Sequence, residues 1–402
     1  MNRDEDLFED MSQMINDLQK FSESGEGVTR LPFTEQAMKA ADYLQKKMFE
    51  IGLDVVLDPS GAVRGTLKGN KRERIIIASH YDTVINGGAY DGCLGIVSAL
   101  ALVKCLKQMN IIPEYTIEII GTNDEEGVRF HTGYFTIKSM LGQIDTAYLK
   151  NHKDKDGISI YDAMKSCGMN PEIISHCNRD SESIKHFFEI HIEQGPILYN
   201  ERKSIGIVDS IVGIRRYEIE VYGQADHAGT TPMDMRKDAV MEACRIITCM
   251  KEKCEKKKET VLTVGFVEVH PNAVNIIPEK VIFTLDMRST KNINLVRLEE
   301  YLDKLCLDSK LKVCYRNTLL QNPVFMDKKV AQQMEQEAQK KKYSYMHLYS
   351  GAGHDALEAA RVWPTSMIFI PSINGRSHCS EEKSDIMEAV KAVNILESII
   401  LN

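Results

Sequence analysis

The stretch Arg74-Ile75-Ile76-Ile77-Ala78-Ser79-His80 decides the fold of this protein. Its apolar residues are continuous and mostly β-branched, which is typical of a strand buried on both faces within a parallel sheet. Further strand-like runs and helical periodicities follow along the chain: strands at 115–120, 187–192 and 366–370, and helices at 4–22, 35–51, 92–108 and 385–400. Strands that alternate with helices predict an α/β domain with a mostly parallel core.

A second region has a different pattern. Residues 215–222 alternate polar and apolar side chains, as does a strand with one exposed face. The segments after it have, in order, the character of a helix, two strands, a helix and a strand: 234–257, 261–269, 280–287, 292–309 and 311–316. This βαββαβ order is ferredoxin-like. We therefore predict an inserted lid or dimerisation domain at 211–323, between the two parts of a catalytic α/β domain at 1–210 and 324–402.

The composition excludes several classes of protein. The 402 residues are 43% hydrophobic and 27% charged, with a formal net charge of −8. This balance is ordinary for a globular domain, and its acidity argues against nucleic-acid binding. No apolar run approaches the ~18 residues of a transmembrane helix, and the charged N-terminus at 1–6 does not resemble a signal peptide. We expect a cytoplasmic protein that binds neither membrane nor nucleic acid.

Histidines and carboxylates lie at or near the ends of the predicted parallel strands. They are His80, Asp91, Glu125, Glu126, His191 and His378. Because open α/β sheets place their sites at the carboxyl ends of the strands, we expect these side chains to lie close together. Imidazole and carboxylate without thiolate suit Zn²⁺, Mn²⁺, Co²⁺ or Ni²⁺. Five such ligands hold two ions if one carboxylate bridges them.

Longer motifs give these residues a family context. The motifs are SHYDTVINGGAYDG (79–92), EEGVRF (125–130), HIEQGP (191–196), DHAGTTPM (226–233), NIIPEKVIFTLDMR (275–288), SGAGHDA (350–356) and IPSINGRSH (370–378). From about residue 20 to the C-terminus, in the same order, the chain resembles the hydantoinase/carbamoylase branch of the dinuclear M20 metallopeptidase-like amidohydrolases. The resemblance implies hydrolysis of a ureido C–N bond that releases ammonia and carbon dioxide. Allantoate is the expected substrate, and N-carbamoyl-L-amino acids are the alternative.

The same resemblance implies the roles of the residues at the metal centre. His80 and His191 bind one ion, Glu126 and His378 bind the second, and Asp91 bridges the two. Glu125 is the general base, which takes a proton from the attacking water and passes it to the departing nitrogen. Adjacent glutamates suit this division of labour, because one is a fixed ligand while its neighbour stays uncoordinated.

The substrate-binding residues are also implied by the resemblance. Arg288 binds the substrate carboxylate, for which a planar guanidinium is better suited than lysine. His227 and Asn275 polarise the attacked carbonyl. Further substrate-binding positions are Gln194, Arg216, Gly351 and Gly353, with His354 behind them in a supporting role. Related dimers imply a homodimer in which His227 serves the partner's site. Because the substrate must touch residues of both domains when it reacts, we also predict hinges near 208–213 and 318–325.

Two other functions are weighed against this one. A peptidase with the same metal core is disfavoured, because peptidase relatives generally have a carboxylate where this chain has His191. A metal-free scaffold that keeps only the fold is disfavoured because all six metal and base positions are intact. Metal analysis of the purified protein distinguishes the scaffold from the enzyme.

Overall fold

The apolar run around Ile76 forms a ten-residue strand in the interior of a nine-stranded sheet. The computed structural model describes residues 3–179 and 183–401. Within these residues the strands are β1 (Asp54–Leu57), β2 (Val63–Leu67), β3 (Lys71–His80), β4 (Tyr115–Thr122), β5 (Ile184–Ile192), β6 (Ile205–Ile211), β7 (Gly213–Tyr222), β8 (Thr260–Thr263), β9 (Val267–His270), β10 (Lys280–Ser289), β11 (Lys312–Gln321), β12 (Val324–Phe325), β13 (Tyr345–Ser350) and β14 (Thr365–Ile370).

The α-helices of the same residues are α1 (Arg3–Leu18), α2 (Glu35–Ile51), α3 (Cys93–Gln108), α4 (Phe135–Met140), α5 (Thr146–Asn151), α6 (Ile160–Ser166), α7 (Ile197–Asn200), α8 (Ala239–Glu255), α9 (Asn292–Leu307), α10 (Lys328–Lys340), α11 (Asp355–Ala359) and α12 (Ile386–Leu401). No helix in the described ranges is long and apolar enough to span a bilayer. The chain divides into a large unit, Met1–Asp209 with Met326–Asn402, and a small unit, Ser210–Phe325.

The sheet of the large unit brings four strand ends to one edge. Its strand order is β1-β2-β4-β3-β5-β14-β6-β12, with β13 paired to β6. The four inner strands β4, β3, β5 and β14 are parallel, while the outer strands pair antiparallel. In this register His80 lies opposite Thr122, and His191 lies opposite Phe369. The predicted α/β fold with a mostly parallel core is therefore confirmed.

Helices cover this sheet with apolar side chains. Helix α3 packs against β3 and β5 and is buried along almost its whole length, which explains why its sequence is apolar on every side. Helix α12 packs against β14, and α1 packs against both α3 and α12. Helix α2 begins at an N-cap, where the Thr34 hydroxyl accepts from the N–H of Ala37. A rigid layer thus supports the strand ends that carry the histidines and carboxylates.

The small unit has the predicted βαββαβ order. Its antiparallel sheet runs β11-β7-β10-β8, with β9 also paired to β10. Helices α8 and α9 pack together and against this sheet, and they share a core that includes Ile219, Phe283 and Leu298. Every second side chain of β7 points to this core, including Tyr217, Ile219 and Val221, as the sequence pattern predicts.

Two elements of the small unit differ from the sequence prediction. The strand expected at 261–269 is broken: Thr263 pairs with Asp286 and Val267 with Phe283, so three residues oppose two. The extra residue lies within 264–266, a segment that contains Gly265, and it interrupts the pairing as a bulge does. The helix expected from 234 begins only at Ala239, because the Asp238 carboxylate caps it and 233–235 form a separate 3₁₀ turn.

Candidate active site

The first group of candidate ligands joins β3, β5 and the start of α3. His191 Nε2 lies 3.4 Å from His80 Nε2 and 3.3 Å from Asp91 Oδ1. The Nδ1 atoms of the two histidines lie 2.9 Å from the carbonyl oxygens of Asp82 and Ile192. A carbonyl can only accept, so each Nδ1 carries the proton and each Nε2 presents its lone pair to the group. Ligand atoms of all three residues could reach one ion.

The second group shares Asp91 with the first. His378 Nε2 lies 3.1 Å from Asp91 Oδ2 and 3.3 Å from Glu126 Oε1. Asp91 therefore faces the first group with one carboxylate oxygen and the second group with the other. This is the arrangement that a bridging carboxylate needs, and the Asp91, Glu126 and His378 ligand atoms could also reach one ion.

Glu125 lies beside both groups. Its Oε2 is 4.0 Å from His80 Nε2, and its buried Oε1 has no hydrogen-bond partner among the described residues. Burial and the neighbouring Glu126 charge raise the pKa of Glu125 well above its usual value. A carboxyl group in such surroundings is suited to accept a proton and pass it on.

Asp82 positions the two glutamates, and the sequence analysis missed it. Its fully buried carboxylate accepts from the backbone N–H of Glu125 at 3.1 Å and of Glu126 at 3.3 Å. The turn that carries Glu125 and Glu126 is thereby tied to the end of β3. Its position two residues after His80, in the same motif, was the available signal.

Carboxyl groups dominate the charge of this region. Six lie in or behind the two groups, and within residues 3–179 and 183–401 none has an Arg or Lys ion-pair partner: Asp82, Asp91, Glu125, Glu126, Glu189 and Asp355. Burial raises the pKa of Glu126 to about 7, and burial with the Asp355 charge raises that of Glu189 to about 8. Hydrogen bonds to Asp91 and Glu126 raise the pKa of His378 to about 11.

These surroundings fit divalent cations. Bound cations relieve the mutual repulsion of buried carboxylates, and both groups offer imidazole nitrogen and carboxylate oxygen without thiolate. One candidate ligand, His378 at φ 57°, and the neighbouring Gln194 at φ 59° also have left-handed backbones. Such conformations concentrate at functional sites, where the surroundings hold them in place.

The other predicted residues of the large unit lie around this centre. Gln194 Nε2 is 3.1 Å from both Asp91 Oδ1 and His378 Nε2, so this side chain touches the second group directly. His354 stacks edge-on against His191 at 4.5 Å between ring centroids and is hydrogen-bonded through Nε2 to the Ser350 hydroxyl. Ligand atoms of Glu189, His191 and His354 form a further close group that the sequence analysis did not anticipate.

The two predicted pocket glycines differ in their surroundings. A Cβ added at Gly353 would overlap the Tyr134 hydroxyl, whereas one added at Gly351 would have open space around it. Tyr134 was not singled out from the sequence. Its backbone N–H donates to the Glu125 carbonyl at 3.1 Å, so the residue is attached to the loop of the candidate base.

The predicted residues of the small unit fall into two pairs. Arg216 and Arg288 both contact Asp286: Arg216 Nη2 lies 2.6 Å from Oδ2, and Arg288 Nε lies 2.8 Å from Oδ1. The register of β7 against β10, with Asp286 opposite Arg216, brings the three residues together. Arg216 is therefore not an isolated residue on an exposed strand.

The second pair is His227 and Asn275. The two segments are joined where the Ala228 N–H donates to the Asn275 carbonyl at 3.0 Å, and both side chains are exposed. His227 Nδ1 accepts from the Gly229 N–H at 3.0 Å. An Nδ1 that accepts leaves the proton of a neutral imidazole on Nε2, so His227 can donate a hydrogen bond outward.

The match to known proteins agrees with this geometry. Residues 76–402 match the sequence pattern of peptidase family M20/M25/M40, and the chain belongs to this family. It is 36% identical over 377 residues to an allantoate amidohydrolase of Escherichia coli (strain K12), covering 92% of this chain and 91% of that protein. It is 32% identical to an N-carbamoyl-L-amino-acid amidohydrolase of Paenarthrobacter aurescens, covering 96% of each chain.

A solved structure has the same overall architecture. It is an amidase of the hydantoinase/carbamoylase family from Burkholderia multivorans, which matches with a TM-score of 0.90 and 31% sequence identity, covering 98% of this chain and 97% of that one. The resemblance drawn from the sequence motifs, the M20-type fold and the assignment to the hydrolases are confirmed.

Proposed function

We propose that this protein hydrolyses the ureido C–N bond of a small carboxylate-bearing substrate, with allantoate first and N-carbamoyl-L-amino acids as the alternative. The observation that carries this proposal is the double ligand group at one sheet edge, with Asp91 common to both halves and Glu125 close beside His80. Relatives with those two activities, at 36% and 32% identity over more than nine-tenths of the chain, support the choice of substrates.

The large unit would hold two divalent ions. His80 and His191 would bind one, Glu126 and His378 the other, and Asp91 both. We propose Zn²⁺ or Mn²⁺, with Co²⁺ or Ni²⁺ as alternatives, because the donors are nitrogen and oxygen. Such ions supply a Lewis acid for the attacked carbonyl and lower the pKa of water.

Glu125 would move the proton. Its Oε1 atom has no hydrogen-bond partner in the part of the chain that the structure describes, and its backbone is tied to Asp82, so the group would stay near the reacting atoms. It would take the proton of the attacking water and hand it to the departing nitrogen. The ureido nitrogen is a poor leaving group until it is protonated, so this second transfer completes the cleavage.

The small unit would recognise the substrate. Arg288 would bind the carboxylate, held in orientation by Asp286, with Arg216 beside it. In the large unit, Gln194, Gly351 and Gly353 would be further substrate-binding positions. His227 and Asn275 would donate hydrogen bonds to the carbonyl oxygen as it gains negative charge. We propose that the small unit acts as a lid that hinges near 208–213 and 318–325.

We further propose a homodimer in which His227 serves the partner's site. Large apolar side chains stand exposed in the segments that carry His227 and Asn275, with Met233 75% and Met235 68% exposed. Exposed groups of this kind are typical of a surface that meets another protein. If the proposal holds, mixing inactive Glu125→Gln chains with inactive His227→Ala chains restores activity at one site of each hybrid dimer. No recovery in verified mixed dimers contradicts it.

The substrate is tested by ammonia release from metal-loaded protein. The panel contains allantoate, N-carbamoyl-L-amino acids, N-carbamoyl-β-alanine and ureidoglycine, with Glu125→Gln protein as the control for background hydrolysis. We expect allantoate to give the highest kcat/KM. A higher value for an N-carbamoyl-L-amino acid makes the alternative the correct assignment. No ammonia from any of them rejects ureido hydrolysis.

A further inference from the structure

Glu382 lies between β14 and α12, is only 3% exposed, and joins the two loops that carry Asp91 and His378. Its Oε1 accepts from the backbone N–H of Tyr90 and of Asp91, each at 3.0 Å. Its Oε2 accepts from the Ser377 hydroxyl at 2.8 Å and from the His378 N–H at 3.4 Å. One buried carboxylate therefore connects segments almost three hundred residues apart in the sequence.

We propose that Glu382 is a positioning residue that sets the affinity of the second metal ion, the one held by Asp91, Glu126 and His378; this role rests on the proposed function. Two of those three ligands are fastened by Glu382 through their own backbone N–H groups. The turn of Glu126 is fastened separately by Asp82. The backbones of all three ligands of the second ion are thus fixed by two buried carboxylates that are not themselves ligands.

The first ion does not depend on Glu382 in this way. The imidazoles of His80 and His191 are oriented by the carbonyls of Asp82 and Ile192, and both residues belong to regular strands. Only Asp91 is common to the two ions. Loss of Glu382 should therefore weaken the second ion much more than the first, and this asymmetry separates positioning from a general loss of structure.

The local backbone is shaped around this carboxylate. A Cβ added at Gly88 would overlap the Glu382 carboxyl group, so position 88 must lack a side chain for Glu382 to reach the Asp91 loop. The loop on the other side is closed by the bridge between Ser372 and Ser384 and by the Ile373 N–H, which donates to the Lys383 carbonyl at 2.8 Å. His378 keeps its left-handed backbone, with φ 57°, within this closed loop.

The charge of Glu382 also suits a cation nearby. Among the described residues no Lys or Arg forms an ion pair with it, and the nearby Asp91 carboxylate has a charge of the same sign. Four hydrogen bonds offset the cost of burying this carboxylate. A divalent ion bound to Asp91 would remove the repulsion, so occupancy of the second site and the position of Glu382 reinforce each other.

The test measures the two ions separately. His378→Ala protein reports the first ion and His80→Ala protein the second, each titrated with Zn²⁺ against a competing chelator. We expect Glu382→Gln, added to each background, to weaken the second ion by at least about tenfold, the usual scale for a residue that orients a ligand, and to change the first much less. Glutamine keeps the shape, but its amide nitrogen faces the His378 N–H and cannot accept from it.

Controls keep the result interpretable. Glu381→Gln removes the charge of the neighbouring glutamate, which is 65% exposed and pairs with Arg376, and should change neither ion. If Glu382→Gln does not fold, Ser377→Ala removes one of the four hydrogen bonds and should weaken the second ion by a smaller factor. Equal weakening of both ions, or an unchanged second ion, overturns the positioning role alone. Wild-type protein that binds no Zn²⁺ overturns the proposed metal centre as well.

Discussion

Charge is balanced differently in two regions of the molecule. One is the candidate metal-ligand cluster of the large unit, His80, Asp91, Glu125, Glu126, His191 and His378, and the other is the arginine pair of the small unit, Arg216 and Arg288. The side chains of His80, Asp91 and Glu125 are 2%, 5% and 7% exposed, and no Lys or Arg in the described chain balances the carboxylates. The side chains of Arg216 and Arg288 are 42% and 30% exposed, and Asp286 already neutralises part of their charge.

This difference indicates that the carboxylates of the cluster are suited to bind a cation and that the two arginines are suited to bind an anion. Several buried carboxylates that lie close together without a Lys or Arg partner repel one another, and bound divalent ions offset that repulsion. Two arginines that share one aspartate keep a net positive charge in a half-exposed position. Substitutions in the cluster should therefore have larger effects than substitutions around the arginines.

The largest effects are expected for the ligands themselves. His80→Ala should lose mainly one ion and His378→Ala mainly the other, with activity reduced on the order of 10³-fold, because a Lewis acid contributes several kcal/mol. Elemental analysis of dialysed protein gives the ions per chain. His347→Ala is the matched control, since this histidine pairs with Asp209 outside the cluster. A single change that leaves both sites full disproves the ligand set.

Replacement of Glu125, the proposed base, should slow hydrolysis without loss of the bound metals. Glu125→Gln should retain both ions while kcat falls by at least ~10²-fold, the usual scale for a lost general base. Rate and metal content are measured on the same preparation. A parallel loss of metal would mean that Glu125 is a ligand and that the two adjacent glutamates have been assigned in the wrong order.

The arginine substitution should have a smaller effect and leave the metals in place. Arg288→Lys keeps the charge but loses the planar pair of donors. We expect kcat/KM to fall roughly 10- to 150-fold, which corresponds to a loss of about 1.5–3 kcal/mol of transition-state stabilisation. Arg316→Lys is the control, because this arginine is 70% exposed and pairs with Glu218 elsewhere on the small unit. An unchanged kcat/KM for Arg288→Lys argues that the carboxylate binds elsewhere.

The smallest effect is expected for Asp286, which contacts both Arg216 and Arg288. Asp286→Asn should raise KM by about fivefold with little change in kcat, because about 1 kcal/mol of orientation at Arg288 is lost while the guanidinium remains. Initial-rate kinetics against Glu218→Gln, which removes a comparable surface carboxylate, provide the comparison. A fall in kcat with unchanged KM would place Asp286 in the chemical step.

The sequence predicted most of the fold because the deciding patterns are local. Four continuous apolar runs specify the parallel strands, and the alternation at 215–222 specifies the half-exposed sheet of the small unit. The break between β8 and β9 was missed because a glycine in a strand-like run does not by itself reveal a bulge. The late start of α8 was missed because Asp238 acts as a cap only in the folded chain.

The residues of the candidate site also differ in whether the sequence alone could predict them. Ligand-type residues after strand ends could be found because sheet topology alone brings them together. Glu382 could not, because its role depends on backbone N–H groups of other loops, and such contacts have no signature in residue spacing. Asp82 was missed although it lies two residues after His80 in the same motif. The partnership of Arg216 with Asp286 likewise required the register of β7 against β10. The catalytic roles of the site residues remain predictions.

The central claim is that two ions at the shared Asp91 cleave a ureido bond, and one titration tests it most directly. Chelator-stripped protein is given increasing Zn²⁺ or Mn²⁺, with ions bound per chain and ammonia release from allantoate measured in the same samples. We expect binding to saturate near two ions per chain and activity to rise with the second equivalent. Fewer than ~0.2 ions per chain after loading, or ammonia release that does not depend on metal, would contradict this account.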